Sequence, residues 1–178
     1  MKIILSILIF VAIVYLWGRT LSAHQDLRVE RKINAPIERV WEVMTNWSEQ
    51  PEWRNDLNRV EIVDNTHFIE YPKKGGAIHF TILNRVRPTN LELRLSGPVQ
   101  GTYTVVLSEN STGTMIEESY ALTYPSVMAR ILAKLFFNLE AFTHQYIDNL
   151  AKEVEKEHPS LALSNCTDIK SVIKISTA

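Results

Sequence analysis

Ala35-Pro36-Ile37-Glu38-Arg39-Val40-Trp41, with Trp47, Pro51 and Trp53 close behind, is the stretch whose reading decides the fold. Ahead of it residues 27–34 alternate, with Leu27, Val29, Arg31 and Ile33 on one parity, which is the period of a strand. Ala35-Pro36 stops that strand. Proline suits the first turn of a helix, where its missing N–H has no intrahelical bond to lose. Ile37, Val40, Trp41 and Met44 then recur at helical spacing and predict a short amphipathic helix to about Thr45. A second short helix is expected over 48–53, with Ser48 as its cap and Pro51 in its first turn.

Downstream, strand-like segments alternate with turn chemistry. They cover about 59–64, 68–71, 77–87, 91–96, 101–109 and 114–123. Asp64-Asn65, residues 72–76, 88–90, Gly97-Pro98 and residues 110–113 separate them, all rich in turn formers. Such short connections imply an antiparallel meander. Parity places Ile78, Phe80, Ile82 and Val86 on one face, followed by Leu91, Leu93, Leu95, then Tyr103, Val105, Leu107, then Ile116, Tyr120 and Leu122. The other parity, with His79, Arg85, Glu92, Arg94 and Glu117, belongs in water. Two polar residues, Asn84 and Glu118, fall on the apolar parity, while Glu70 is expected to end its strand at the surface. Over 126–156 the period lengthens: Met128, Ile131, Leu135, Leu139, Phe142, Tyr146, Leu150 and Val154 predict one long amphipathic helix.

Taken in order, these elements resemble the helix-grip fold, an α+β architecture in which a curved antiparallel sheet wraps around a long C-terminal helix. The chain resembles the polyketide cyclase/dehydrase-like branch of the SRPBCC (START/Bet v 1-like) superfamily. The residues that carry this are the Ala35-Pro36 to Val40-Trp41 corner, Pro51-Glu52-Trp53, Phe68-Ile69-Glu70-Tyr71 and the final helix. The resemblance spans about 26–157. It implies a cavity between sheet and helix of the kind that holds apolar or amphipathic ligands, and a membership ranging over lipid carriers, hormone receptors, aromatic cyclases and co-chaperone domains. Fold alone therefore does not select a function.

The N-terminus adds a different signal. Residues 3–17 are apolar apart from Ser6, with Lys2 before them and Arg19 after. A membrane helix needs roughly 20 residues, and the run reaches that length if Arg19 snorkels to the headgroups, with Tyr15 and Trp17 at the interface. A cleaved signal ending at Ala23 is the alternative, against which Leu21 is a poor match to the small residue a cleavage site prefers. Positive charges after the run outnumber those before it, favouring a cytoplasmic domain, yet folded domains are translocated regardless of charge, so the side stays open. The expected organisation is an anchor over 1–22, the helix-grip domain over 26–157 and a flexible tail over 158–178, giving a single-pass membrane protein.

Composition excludes several classes. With 19 basic and 20 acidic side chains the net charge is −1, which offers no electrostatic basis for binding nucleic acid. One cysteine, Cys166 in the tail, forbids an intrachain disulfide and argues against structural zinc. Lys73-Lys74-Gly75-Gly76 is a turn without the helix a phosphate loop needs, and no G-x-S-x-G elbow occurs. The five histidines lack ligand spacing; His144, on the last helix, reads as a partly exposed helix residue. No catalytic residue, metal or cofactor is expected.

Glu118 is the sharpest single signal. A carboxylate facing a cavity is costly unless paired, and its pKa rises; a β-bulge that flips parity is the bland alternative for Glu118 and Asn84 alike. The candidate ligand-binding residues are Trp41, Trp53, Phe80, Asn84, Tyr103, Glu118, Tyr120, Phe136, Phe142 and Tyr146, although core packing uses the same aromatics. The preferred expectation is a membrane-tethered protein that binds a small hydrophobic ligand, such as a lipid or isoprenoid. A ligand-free interaction module and a cyclase- or dehydratase-type enzyme using Glu118 and Asn84 are the alternatives. Oligomeric state is not legible in the sequence.

Overall fold

The computed structural model of the chain describes residues 2–156; the expected tail, with Cys166, lies outside the described residues. An N-terminal helix α1 (Lys2–Thr20) precedes β1 (His24–Ile33). Two short helices, α2 (Ile37–Thr45) and α3 (Gln50–Trp53), lead into six consecutive strands: β2 (Leu57–Ile62), β3 (His67–Pro72), β4 (Ile78–Val86), β5 (Asn90–Ser96), β6 (Gln100–Asn110) and β7 (Gly113–Thr123). Helices α4 (Val127–Phe136) and α5 (Leu139–Glu155) finish the described chain. All seven strands form one antiparallel sheet in the order β1-β7-β6-β5-β4-β3-β2. The meander accounts for every neighbour except β1, which pairs with β7, so the α2–α3 segment carries the chain from one edge of the sheet to the other. The result is the helix-grip α+β fold.

The Ala35-Pro36 corner is locked by a side chain 79 residues further along the chain. The Thr114 hydroxyl, fully buried, donates to the Ala35 carbonyl at 2.7 Å. Next to it Gly113 adopts φ +147°, where a Cβ would lie 2.3 Å from the Ile33 carbonyl oxygen, so only glycine lets the β6–β7 turn approach β1 this closely. Pro36 occupies the cap position of α2, and Ile37, Val40, Trp41, Val43 and Met44 turn inward. They pack on α5 and on β6 and β7, with Ile147 and Leu150 opposite them in one apolar cluster.

Three local expectations are corrected. The long terminal helix is two helices: Asn138 caps α5, its Oδ1 accepting from the Ala141 N–H at 3.0 Å, and Ser126 caps α4 in the same way at 3.0 Å. An asparagine that satisfies a free N–H competes with helix continuation, while the apolar period runs on because both helices are amphipathic. Ser48 does not cap α3; its hydroxyl donates to Asn46 Oδ1 and the helix begins at Gln50, with Pro51 in its first turn. In β4 the register slips between Ile82 and Asn84, so Asn84 pairs with outward Glu92 and Val86 emerges half-exposed. A bulge inserts one residue and reverses every side chain beyond it.

Helix α1 is long and apolar enough to cross a membrane, with a mean hydropathy of 2.1 and Gly18 as its buried residue. A signal sequence has the same properties.

Candidate ligand-binding cavity

The inner face of the sheet and the helices do not meet everywhere. Toward the end of the sheet where β6 begins and β7 ends they enclose an open-mouthed cavity of about 960 Å³. Phe68 (β3), Phe80 (β4), Leu91, Leu93 and Leu95 (β5), Tyr103 (β6) and Tyr120 and Leu122 (β7) form its floor. Met128 and Leu132 of α4 and Leu139, Phe142 and Tyr146 of α5 form its roof, and Met44 and Trp47 close one side. The floor residues alternate along each strand, so period-2 patterning projects one apolar row per strand into the space. Trp47, Phe68 and Phe80 stack in series, with ring centroids 4.6 and 4.9 Å apart.

One wall is polar. Arg54, directly after α3, is 6% exposed and uses all five guanidinium N–H groups. Nη1 donates to Gln50 Oε1 (2.8 Å) and Glu70 Oε1 (2.7 Å); Nη2 donates to Glu70 Oε2 (3.1 Å) and Asp56 Oδ2 (2.8 Å); Nε donates to Asp56 Oδ1 (3.4 Å). Gln50 in turn donates to the Met44 carbonyl at 2.8 Å. Burial by itself would lower the Arg54 pKa, but the charges and hydrogen bonds of Glu70 and Asp56 more than offset it, and the guanidinium is held charged. The expectation that Glu70 ends a strand in solvent is thus corrected: it lies on the Phe68 parity of β3, 7% exposed, and pairs with Arg54.

Glu118 is fully buried on β7. Its Oε2 accepts from the Tyr120 hydroxyl at 3.1 Å, whereas Oε1 and the Tyr103 hydroxyl are buried without a well-formed partner. Desolvation raises its pKa to about 7, with the Tyr103 and Tyr120 hydroxyls and Arg54 opposing the rise. Tyr103 and Tyr120 border the cavity but Glu118 does not. It is a buried acid one layer beneath the cavity surface.

The remaining candidate residues divide. Phe80, Phe142 and Tyr146 border the cavity. Trp41, 1% exposed, is in the core beneath α2, and Trp53 sits behind Tyr146 with its ring 5.6 Å away, so neither reaches the space. Asn84 faces solvent beyond the β4 bulge. Phe136 is 79% exposed; Phe137, freed by the helix break, takes the inward place. Arg54, Gln50, Trp47 and Phe68 border the cavity without having been anticipated there. Parity did carry a signal for Phe68 and Glu70, which share a face of β3. Nothing local marks Arg54, because it follows a four-residue helix with no period to read. His144 lies outside, 3.3 Å from an Arg31 Nη1. Among the described residues no His, Cys, Asp or Glu side chains converge as a metal site.

The family model for polyketide cyclase / dehydrase and lipid transport matches residues 24–155, the whole of the sheet and of the helices that enclose the cavity. The chain belongs to this family. Solved structures agree at the level of fold. An aromatase/cyclase from a Streptomyces species aligns with a TM-score of 0.61 at 14% identity, over 75% of this chain and 94% of that one. A START superfamily protein from Mycobacterium smegmatis gives 0.59 at 12%, over 76% and 99%. A conserved protein from Geobacillus kaustophilus gives 0.61 at 16%, over 76% and 97%. Helix α1 lies before the span that the family model matches. No curated protein matches the chain in sequence.

Proposed function

We propose that this chain is a single-pass, membrane-tethered member of its family that binds a small hydrophobic ligand, such as a lipid or isoprenoid, in the cavity between the sheet and α4–α5. The observation that carries the reading is the cavity: about 960 Å³, walled mainly by leucine and aromatic side chains, with one polar side. That volume matches sites that enclose a drug-sized ligand. The family's association with lipid transport and the apolar α1 point the same way.

The polar side narrows the ligand. Arg54 has no N–H left to give and stands between two carboxylates, so the patch does not attract an anion. A neutral or hydrogen-donating polar end suits it better. Volume of this size counts against a collapsed interaction module. The cyclase or dehydratase reading needed Asn84 and Glu118 to reach one molecule; Asn84 lies in solvent and Glu118 does not border the cavity, so the pair gives that reading no support.

Native mass spectrometry of the full chain in detergent, incubated with a total membrane lipid extract, tests the proposal. A retained one-to-one lipid adduct is expected, together with its loss in Leu93→Trp, which fills the cavity from β5 while circular dichroism stays unchanged. No adduct with the wild-type chain would refute it.

A further inference from the structure

Helix α1 does not simply trail from the domain; its last turn is packed against α4. Gly18 is the buried residue of α1, and a Cβ there would lie 2.4 Å from Ile131 Cδ1 and 2.8 Å from Val127 Cγ1. The absent side chain is what lets the helices touch. The contact sets α4 beside the end of the apolar span.

Around α4, at about 100° per residue, three strips follow one another. Val127 and Ile131 face α1. Next come Met128, Leu132, Leu135 and Phe136, each more than half exposed. Beyond them Ala129 and Ala133 border the cavity, which Met128 and Leu132 also border. An apolar surface therefore runs without interruption from the membrane helix, across α4, into the cavity mouth. On the opposite rim of that mouth are the exposed Lys73 and Lys74 of the β3–β4 turn. Amphipathic helices with such a face lie in the bilayer interface, and lysines near it are drawn to anionic headgroups.

We propose that α4 lies in the surface of the membrane that α1 spans, so that the cavity opens onto the bilayer and exchanges its ligand with lipid directly. This rests on the reading of α1 as an anchor. The occupant of the exposed strip is the lipid surface, because the strip is continuous with α1 and faces a rim carrying cations across the cavity mouth.

The test uses the full chain, one copy per nanodisc of phosphatidylcholine and phosphatidylglycerol, in a Cys166→Ser background. Nitroxide labels are placed singly through Ile9→Cys, Leu132→Cys, Phe136→Cys and Asn110→Cys. Asn110 closes the far end of β6, about 30 Å from the mouth. Collision rates with oxygen and with a water-soluble nickel chelate are then compared. Labels at 132 and 136 are expected to favour oxygen several-fold over the label at 110. If the label at 9 favours oxygen while that at 136 matches 110, the docking is overturned and the anchor stands. If 9 and 136 are equally wet, the anchor reading fails and the docking with it. A label at 136 shielded from both reagents means that protein covers the strip, which also overturns the proposal. Lipid retention by mass spectrometry is independent of all these outcomes, so failure of the ligand reading is seen separately.

Discussion

The two ends of the sheet's inner face are built to opposite ends. Beneath α2, Ile33, Val40, Trp41, Met44, Leu107, Ile116, Ile147 and Leu150 are each at most 2% exposed, and nothing separates sheet from helices. Beneath α4, residues of the same types stand around an open volume. The strands are continuous from one end to the other, so strand patterning cannot account for the difference. What differs is the helical layer. At the closed end α2 inserts a tryptophan and a methionine between α5 and the sheet, whereas at the open end α4, with Met128, Leu132 and two alanines bordering the cavity, stands off the sheet. A close-packed interior fills wherever side chains are supplied; the cavity exists where they are withheld.

Substitutions should separate the two ends sharply. Trp41→Ala, at the closed end, is expected to cost about 4 kcal/mol in chemical denaturation, as other large truncations in packed cores do. A cost under 1 kcal/mol would show that the closed end is not close-packed. Between the ends, Arg54→Met strands Glu70 without its partner and should cost about 3 kcal/mol. Adding Glu70→Met should recover a large part of that, since removing both charges leaves no buried carboxylate uncompensated.

Glu118 supplies a pH-dependent test. Its folded pKa, about 7, lies above its ordinary value of 4.5 because of burial. The folded state therefore holds the proton more tightly than the unfolded one. Stability from this group is fully present below pH 4.5 and is lost as pH rises toward 7, by a total on the order of 3 kcal/mol. Unfolding free energies across about pH 4 to 8 should show that decline in the wild type, and Glu118→Gln should flatten it. An unchanged slope would place the buried charge elsewhere. The smallest effect belongs to the open end: Phe136→Ser should alter stability by no more than about 0.5 kcal/mol, because its ring contributes to no core.

Much of the fold was legible. Every strand of the meander lies within a few residues of its expected place, since turn residues and period-2 alternation are local properties. The Ala35-Pro36 corner with the helix behind it was legible for the same reason. The site was less so. Aromatic composition identified Phe80, Tyr103, Tyr120, Phe142 and Tyr146 as inward, but could not distinguish them from Trp41 and Trp53, which face inward into packed core. Asn84 and Glu118 had the same standing by parity and met opposite outcomes, because one strand carries a bulge and the other does not.

Alternation, turn chemistry and helical period determined the order of elements, the antiparallel sheet and the apolar N-terminal helix, all of them properties of neighbours along the chain. Only the tertiary structure decided where the interior is filled and where it is empty, that Arg54 meets Glu70 across sixteen residues, and that α1 rests on α4 through Gly18. Those depend on the distance between elements remote in sequence, which packing sets and no local pattern encodes.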